Sequence, residues 1–292
     1  MWKAVLSKKD MQKVPFYKMS GTGNDFILID NRDGAWDHFV APWFVRAVCR
    51  RKKAAGADGV IFIERSGTCD FSWRFFNADG STAEMCGNGA RCAARYAVLR
   101  GIAGQKLCFE TGAGVIQAEV YGSRVKTQLT RPGMPELNIC LEVNNRGYVF
   151  HSIHTGVPHV VCFVDDLAAV PVQTLGRAVR FHPRFQPAGT NVNFVVQKDS
   201  DMLHIRTYER GVEDETLACG TGSVAAALIA LTLGKATSPV SLQTAGGDIL
   251  RVSTPSPTPP FEEVYLEGDT TVVYTGELWE EAWTHAGENT AS

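Results

Sequence analysis

The segment EMCGNGARCAARYAVLRG, residues 84–101, decides how the fold of this chain is interpreted. Cys86 stands directly before a Gly-Asn-Gly turn, and an alanine-rich run that favours a helix follows the turn. A cysteine in this place has three ordinary explanations: a buried structural residue, half of a disulfide or metal site, or part of a loop that cradles phosphate. Other parts of the chain are needed to choose among them.

The same pattern occurs again in the segment TLACGTGSVAAALIALTLG at residues 216–234. The CGNG turn at 86–89 aligns with the CGTG turn at 219–222, at an offset of 133 residues. The same offset places AAGADGVIFIE (54–64) over PAGTNVNFVVQ (187–197), and GTGNDFILI (21–29) over HTGVPHVVC (154–162). Three matches at one ungapped offset indicate a duplicated half of roughly 130 residues, and hence two similar domains.

Both halves predict the same order of elements. Glycine turns lead into apolar strands, a third strand follows, and then come the cysteine turn and a long helix that ends at Gly101 or Gly234. The predicted strands are 26–29, 60–63, 71–76, 107–110 and 115–120 in the first half, and 160–164, 192–196, 203–208, 240–243 and 249–252 in the second. The sequence therefore predicts a mixed α/β, strand-rich chain with one long helix in each half.

Composition and charge narrow the class of protein. The chain has 292 residues, 45% of them hydrophobic and 21% charged, with a formal net charge of −2. This balance is typical of a globular protein of one large domain or two modest ones, and it argues against a nucleic-acid partner. The N-terminal region shows no signal-peptide pattern and no apolar run is long enough for a membrane span, so we expect a cytoplasmic protein with no membrane partner.

The eight cysteines show no pattern of a metal site, since none forms Cys-x-x-Cys and no pair has zinc-finger spacing with histidine. In a reducing compartment we expect most of them to be free and buried. Neither cysteine turn carries the lysine of a P-loop, and GTGNDF at 21–26 lacks the third glycine of a dinucleotide fingerprint. Two buried structural cysteines remain possible, but burial alone does not explain why both halves place the thiol before a turn of bare backbone N–H groups.

Those N–H groups allow a fourth explanation. A helix N-terminus leaves unpaired donors and carries partial positive charge, so it binds a carboxylate and is expected to lower the pKa of a nearby thiol. If two such termini face each other, two sulfurs flank the carbon that carries the bound carboxylate. One thiolate then removes the α hydrogen and the opposite thiol returns a proton to the other face, which inverts the centre without a pyridoxal cofactor.

The chain resembles the diaminopimelate epimerase family through MSGTGNDFILID, FFNADGSTAEMCGNGARC, HTGVPHVV and YERGVEDETLACGTGS. The resemblance implies two pseudo-symmetric α/β domains, each a curved sheet around a central helix, with the active site in the cleft between them. The halves should be residues 1–128, completed by 271–285, and residues 129–270. The implied activity is the cofactor-free, metal-free interconversion of LL- and meso-diaminopimelate, for lysine and peptidoglycan synthesis. The expected partner is a small amino-acid substrate, and a homodimer is possible.

The resemblance also assigns roles by position. Cys86 and Cys219 match the catalytic pair, and His159 matches a supporting histidine. The positions that match substrate-binding residues are Asn24, Asn77, Gly87, Asn88, Asn191, Glu209, Arg210, Gly220 and Thr221.

Two positions depart from the family pattern. Gly59 stands where the family usually has glutamine, and Val157 stands where it usually has asparagine. Because a site that loses hydrogen-bonding groups discriminates less well, the departures leave open a racemase of relaxed specificity that acts on another amino acid such as glutamate. A non-catalytic amino-acid-binding protein or a thiol redox sensor is a further alternative.

Overall fold

The computed structural model describes residues 12–284, which form 17 strands and five α-helices. The strands are β1 (Lys13–Gly21), β2 (Asn24–Asp30), β3 (Gly59–Glu64), β4 (Phe71–Asn77), β5 (Lys106–Thr111), β6 (Gly114–Tyr121), β7 (Arg124–Gln128), β8 (Glu136–Val143), β9 (Arg146–His154), β10 (Pro158–Phe163), β11 (Asn191–Gln197), β12 (Met202–Glu209), β13 (Asp214–Thr216), β14 (Val240–Gln243), β15 (Ile249–Ser253), β16 (Tyr265–Asp269) and β17 (Thr271–Trp279). The helices are α1 (Pro42–Val48), α2 (Gly87–Leu99), α3 (Val172–Arg180), α4 (Gly220–Thr232) and α5 (Glu281–Thr284).

Contacts between Cα atoms divide the described residues into two compact units. Unit 1 contains residues 12–115 and 271–284, and unit 2 contains residues 116–270. The bounds expected from the sequence, 1–128 with 271–285 and 129–270, stay a prediction, and residues 1–11 and 285 lie outside the described part of the chain.

Unit 1 places its strands in the order β17-β1-β2-β3-β4-β5. The pairs β2–β3 and β4–β5 are parallel, and the other neighbours are antiparallel. Helix α2 packs against β1, β2 and β3 through the buried alanines Ala90, Ala93, Ala94 and Ala97. A separate hydrophobic cluster joins α1 and α5 to the sheet through aromatic residues that include Phe44, Phe62 and Trp283.

Unit 2 repeats this arrangement around a more deeply buried helix. Strands β9, β10, β11, β12, β14 and β15 all contact α4, so the sheet wraps around that helix. Every residue from Gly222 to Leu231 is buried, as expected for a helix that is hydrophobic on all sides. Helix α3 packs through Val172, Leu175 and Val179 on a second cluster that includes Tyr208. A Cβ at Gly176 would lie 2.5 Å from the Tyr208 Cβ, so only glycine allows this close approach.

The strand registers refine the internal repeat. Phe26 pairs with Gly59, and His159, which stands 133 residues after Phe26, pairs with Asn191. Asn191 follows Gly59 by 132 residues, so the ungapped alignment of 54–64 with 187–197 is wrong by one position in the strands. By the same register Ile61 corresponds to Asn193. The turn between Gly189 and β11 is one residue shorter than the turn between Gly56 and β3, which accounts for the shift.

Every strand that the sequence predicts is present, and the long helices α2 and α4 end before Gly101 and Gly234, which both have positive φ. The sequence did not indicate the strands β1, β7, β8, β9, β13, β16 and β17 or the shorter helices α1, α3 and α5. None of the helices in residues 12–284 combines the length and the apolar character that a membrane span requires.

Candidate active site

Cys86 is the N-cap of α2. Its backbone is extended, its carbonyl accepts from Ala90 N–H at 2.8 Å, and its Sγ accepts from Gly89 N–H at 3.5 Å. The N–H groups of Gly87 and Asn88 belong to the first turn of the helix, where a helix has no carbonyl to receive them. These two positions therefore suit an anion beside the sulfur; their role in substrate binding stays a prediction.

The Asn88 side chain is held by a buried network. Its Oδ1 accepts from Arg91 Nη2 at 2.6 Å, and its Nδ2 donates to Asn24 Oδ1 at 2.7 Å. Arg91 is completely buried and also donates to Thr22 Oγ1 at 2.9 Å. Asn24 in turn donates from Nδ2 to Asp58 Oδ2 at 3.0 Å. The network fixes both amides in one orientation and ties the turn before β2 to the first turn of α2.

Asn77 lies at the end of β4, where it pairs in register with Gly59. Its Nδ2 donates to Ser81 Oγ at 3.0 Å. A Cβ at Gly59 would lie 2.5 Å from the Phe76 carbonyl oxygen and 2.6 Å from Phe75 Cε2. Residues of the neighbouring strand β4 therefore occupy the space that the Cβ of a glutamine at position 59 would need.

Cys219 is the N-cap of α4 and repeats the geometry of Cys86. Its backbone is extended, and its Sγ accepts from Gly222 N–H at 3.4 Å. The Sγ also lies 3.5 Å from Thr221 Oγ1, at hydrogen-bonding distance for sulfur. A Cβ at Gly222 would stand 2.4 Å from Asn193 Oδ1, so this helix turn lies directly against the Asn193 amide.

His159 is buried behind this turn. Its Nε2 lies 2.9 Å from Thr221 Oγ1, and its Nδ1 lies 3.2 Å from Asn193 Nδ2. Burial, with smaller effects from His154 and Arg210, lowers the pKa of His159 to about 3. The imidazole is therefore neutral at physiological pH. The supporting role that the resemblance assigns to His159 stays a prediction.

Asn191, Glu209 and Arg210 are further predicted site residues of unit 2. Asn191 donates to the Pro158 carbonyl at 3.0 Å and accepts from Arg210 N–H at 2.8 Å. Arg210 also donates from Nη1 to the Ala188 carbonyl at 2.9 Å. Burial raises the pKa of Glu209, and a hydrogen bond with Thr216 partly opposes this shift.

The pKa of Cys219 differs from the sequence-based expectation. Burial, followed by the negative charge of Glu209, raises the pKa of Cys219 to about 12, although hydrogen bonds from Thr221 and Gly222 act in the opposite direction. The donors at the helix N-terminus do lower the pKa of Cys219, but the expected net lowering is wrong, because the desolvation of a buried thiolate outweighs them. Together these effects favour the protonated form of the Cys219 thiol.

Among the network residues that the sequence did not identify, Arg91 and Asn193 are completely buried. Arg91 is a charged residue inside an alanine-rich helix, and Asn193 interrupts an apolar strand. A polar residue in an apolar element is the signal that marks each of them.

All eight cysteines lie in the described part of the chain and are free thiols, but only Cys49, Cys92, Cys162 and Cys219 are buried. The described residues contain no group of three or more potential metal ligands of the His, Cys, Asp and Glu types.

Comparison with solved structures defines the class of fold. A Bacillus anthracis phenazine biosynthesis protein of the PhzF family superimposes with a TM-score of 0.68 at 14% identity, and covers 91% of this chain and 99% of its own. A hydroxyproline epimerase from Agrobacterium vitis gives a TM-score of 0.64 at 12% identity, with 92% and 93% covered. The protein thus has the duplicated α/β fold of these proteins.

Sequence comparison defines the family. The family model described as "Diaminopimelate epimerase" matches residues 16–134 and 151–273, one match in each half. A protein named diaminopimelate epimerase from Aquifex aeolicus is 48% identical over 277 residues, which cover 91% of this chain and 98% of the relative. One from Archaeoglobus fulgidus is 43% identical over 279 residues, with 91% and 96% covered.

The chain belongs to the diaminopimelate epimerase family, and the protein is an isomerase of the epimerase class. The predicted family and the predicted fold of two duplicated α/β domains are confirmed.

Proposed function

We propose that this protein interconverts LL- and meso-diaminopimelate by a two-thiol acid/base mechanism that needs no cofactor. Family membership supports the reaction, and one structural observation carries the mechanism. Each unit presents a cysteine as the N-cap of a long helix, with its sulfur beside the N–H groups of the first turn. Nothing about helix stability requires cysteine as the cap, since Ser, Thr, Asp and Asn are the better capping residues.

In the proposed reaction, Cys86 and Cys219 act on the same α carbon. The thiolate of one cysteine takes the α hydrogen, so the Cα–H bond breaks and an S–H bond forms. The thiol of the other cysteine gives its proton to the opposite face of the carbanion and becomes a thiolate. The reverse reaction exchanges the two roles, and the protein gains or loses no proton over a complete turnover.

The first turns of α2 and α4 stabilise the charge that develops in this reaction. The N–H groups of Gly87, Asn88, Gly220 and Thr221 bind the carboxylate into which the carbanion charge spreads. Preorganised donors of this kind contribute several kcal/mol; the loss of one typically costs about 3–4 kcal/mol of barrier.

Glu209 and Arg210 provide for the charged groups of the substrate. Arg210 is held at its backbone by Asn191 and at its side chain by the Ala188 carbonyl, so its guanidinium is positioned before substrate binds. Guanidinium is suited to a bidentate grip on a carboxylate. Asn24, Asn77 and Asn191 supply amides whose orientation is already fixed by the protein.

Solvent exchange tests this function. Purified protein is incubated with LL-diaminopimelate in deuterated water. The stereoisomers are separated by chiral chromatography, and their deuterium content is measured by mass spectrometry. We expect meso product with one deuterium at the inverted α carbon. Binding of diaminopimelate without exchange or inversion would instead indicate a binding protein, and inversion of glutamate at a comparable rate would indicate the relaxed racemase.

We further propose that the protein acts in the cytoplasm, on the route to lysine and peptidoglycan. The eight free thiols support a reducing location, in which both proposed catalytic cysteines stay reduced. The homodimer stays a prediction, which light scattering coupled to size-exclusion chromatography tests.

A further inference from the structure

The amide of Asn193 has only one orientation that satisfies its neighbours. Its Nδ2 lies 2.9 Å from the Val160 carbonyl, which can only accept a hydrogen bond. Its Oδ1 accepts from the Thr207 hydroxyl at 2.9 Å. Exchanging the two ends of the amide would place one carbonyl oxygen against another in the completely buried environment of Asn193, where an unsatisfied pair is costly.

This orientation determines the tautomer of His159. The second hydrogen on Asn193 Nδ2 faces His159 Nδ1 at 3.2 Å, so Nδ1 must accept. Burial keeps the imidazole neutral, and a neutral imidazole carries one proton. That proton is therefore on Nε2, which lies 2.9 Å from Thr221 Oγ1 and donates to it.

The tautomer in turn determines the direction of the next hydrogen bond. Thr221 Oγ1 accepts a hydrogen bond from His159 Nε2–H. The hydroxyl hydrogen of Thr221 can therefore be donated to its other neighbour, Cys219 Sγ, at 3.5 Å. We infer that Asn193 and His159 hold the Thr221 hydroxyl as an obligatory hydrogen-bond donor to the Cys219 sulfur, which favours the thiolate form of this cysteine. The inference deepens the proposed function and rests on it for its catalytic meaning.

The corresponding positions of unit 1 differ. Asn88 corresponds to Thr221, but its side chain bonds to Arg91 and Asn24. Phe26 corresponds to His159, and Ile61 corresponds to Asn193 through the strand registers. A Cβ at Gly89 would meet Ile61 Cδ1 and Phe26 Cε1, so apolar groups lie under this turn where unit 2 has polar ones. The series of hydrogen bonds from Asn193 through His159 and Thr221 to Cys219 is thus a feature of unit 2 that duplication alone does not explain.

The Thr221 hydroxyl stabilises the Cys219 thiolate against groups that oppose its ionisation. Burial and the charge of Glu209, at the end of β12, both oppose ionisation of Cys219. The N–H of Gly222 and the Thr221 hydroxyl act against them. His159, on β10, adds no charge because it is neutral, and His154 and Arg210 help to keep it so. Thr221 therefore acts on Cys219 directly, whereas His159 and Asn193 are positioning residues that act through Thr221.

Alkylation of Cys219 tests the hydroxyl without any need for turnover. The protein is treated with iodoacetamide from pH 7 to 10, and the labelled cysteines are quantified by peptide mass spectrometry. We expect Thr221→Val, which has the same shape but no hydroxyl, to be alkylated at Cys219 about tenfold more slowly at each pH, because a shift of one pKa unit changes the thiolate fraction tenfold. Thr221→Ser should restore the wild-type rate. The exposed Cys140 is the internal control and should react equally in all variants.

A double-mutant cycle tests the positioning residues. His159→Phe introduces the residue of the corresponding unit 1 position and should also slow alkylation of Cys219. If both residues act through one hydroxyl, His159→Phe should have no further effect in the Thr221→Val background. Additive effects, or an unchanged rate in Thr221→Val, would overturn the inference.

The tautomer is measured separately by ¹⁵N NMR of the imidazoles, with His159 assigned by its loss in His159→Gln. We expect a neutral ring protonated on Nε2 between pH 5 and 8. A proton on Nδ1, or a doubly protonated ring in this range, would contradict the argument. If these results hold but no solvent deuterium enters diaminopimelate, the proposed function fails while the hydrogen-bond chain stands.

Discussion

Cys86 and Cys219 occupy the same backbone position in two corresponding helices, but their neighbours differ. Cys219 has Thr221 and Glu209 beside it, whereas the residue that corresponds to Thr221 is Asn88, which bonds to Asn24 and Arg91. The duplication therefore preserved the cap geometry while the side chains around each sulfur diverged. The two sulfurs therefore lie in chemically different surroundings within their own units.

Replacing either cysteine tests the two-thiol mechanism. Cys86→Ala and Cys219→Ala should each lower kcat for epimerisation by about 10³-fold or more, since a positioned acid or base contributes roughly 10²–10⁴-fold and each is needed in every turnover. Thermal midpoints should remain close to wild type. Cys140→Ala removes an exposed cysteine and is the control with unchanged kcat. Near-normal turnover by either active-site variant would exclude the mechanism.

Val157→Asn tests the origin of substrate discrimination. Val157 is half-buried in the turn before His159, and its carbonyl accepts from Thr155 N–H at 3.1 Å, so the side chain can change without loss of that bond. We expect the variant to raise the ratio of kcat/KM for diaminopimelate over glutamate, because a regained polar contact typically contributes about 1–3 kcal/mol. The parallel change Gly59→Gln is unsuitable, since its Cβ would collide with Phe76. An unchanged ratio would show that Val157 does not set specificity.

At the scale of elements, the cysteine-capped helices and their flanking strands could be predicted because the signals are local. A glycine turn, an alanine-rich run and a terminal glycine define a helix within one stretch of sequence. The polar layer under α4 could not be predicted, because Asn193 is satisfied only by residues from β10 and β12. The raised pKa of Cys219 was missed for the same reason, since burial is a property of the packed unit.

The two helix turns should differ in their tolerance of a methyl group. Gly222→Ala places Cβ 2.4 Å from Asn193 Oδ1, and that amide cannot move without breaking several hydrogen bonds. We expect a loss of about 1–3 kcal/mol in the free energy of unfolding, as in other overpacked cores. Gly89→Ala is the matched control, because its nearest neighbour is the flexible end of Ile61 at 3.2 Å. Equal shifts of the urea midpoint in the two variants would refute this reasoning.

At the scale of the whole molecule, the internal repeat indicated two duplicated domains and the family resemblance implied that residues 271–285 complete the first one, but no local pattern predicted the strands β1 or β17. These strands pair with each other from Lys13–Trp279 to Ser20–Thr271, so unit 1 is built from two separate parts of the chain. Pairing between distant segments leaves no local pattern in the sequence, and the internal repeat does not include it. Unit 2, by contrast, is continuous from residue 116 to residue 270.

Trp283 tests how strongly the returning segment stabilises unit 1. Its side chain is 7% exposed and its ring lies 4.9 Å from that of Phe39 and 5.5 Å from that of Phe44. Trp283→Ala should lower the free energy of unfolding by about 3–5 kcal/mol, as expected for a buried aromatic residue. Trp279→Ala, at a position that is 46% exposed, should cost far less. The comparison is made by urea denaturation followed by circular dichroism, and similar losses would contradict the assignment.

The pairing of β1 with β17 also fixes an order of events during translation. Strand β1 leaves the ribosome early, but its partner is synthesised only after every residue of unit 2. Unit 2 can therefore complete its hydrophobic core while unit 1 still lacks an edge strand and its closing helix. Domains that emerge first generally fold first, but unit 1 cannot complete its sheet before all of unit 2 has been synthesised. Unit 1, which contains Cys86, therefore lacks β17 and α5 until the segment after unit 2 has been synthesised.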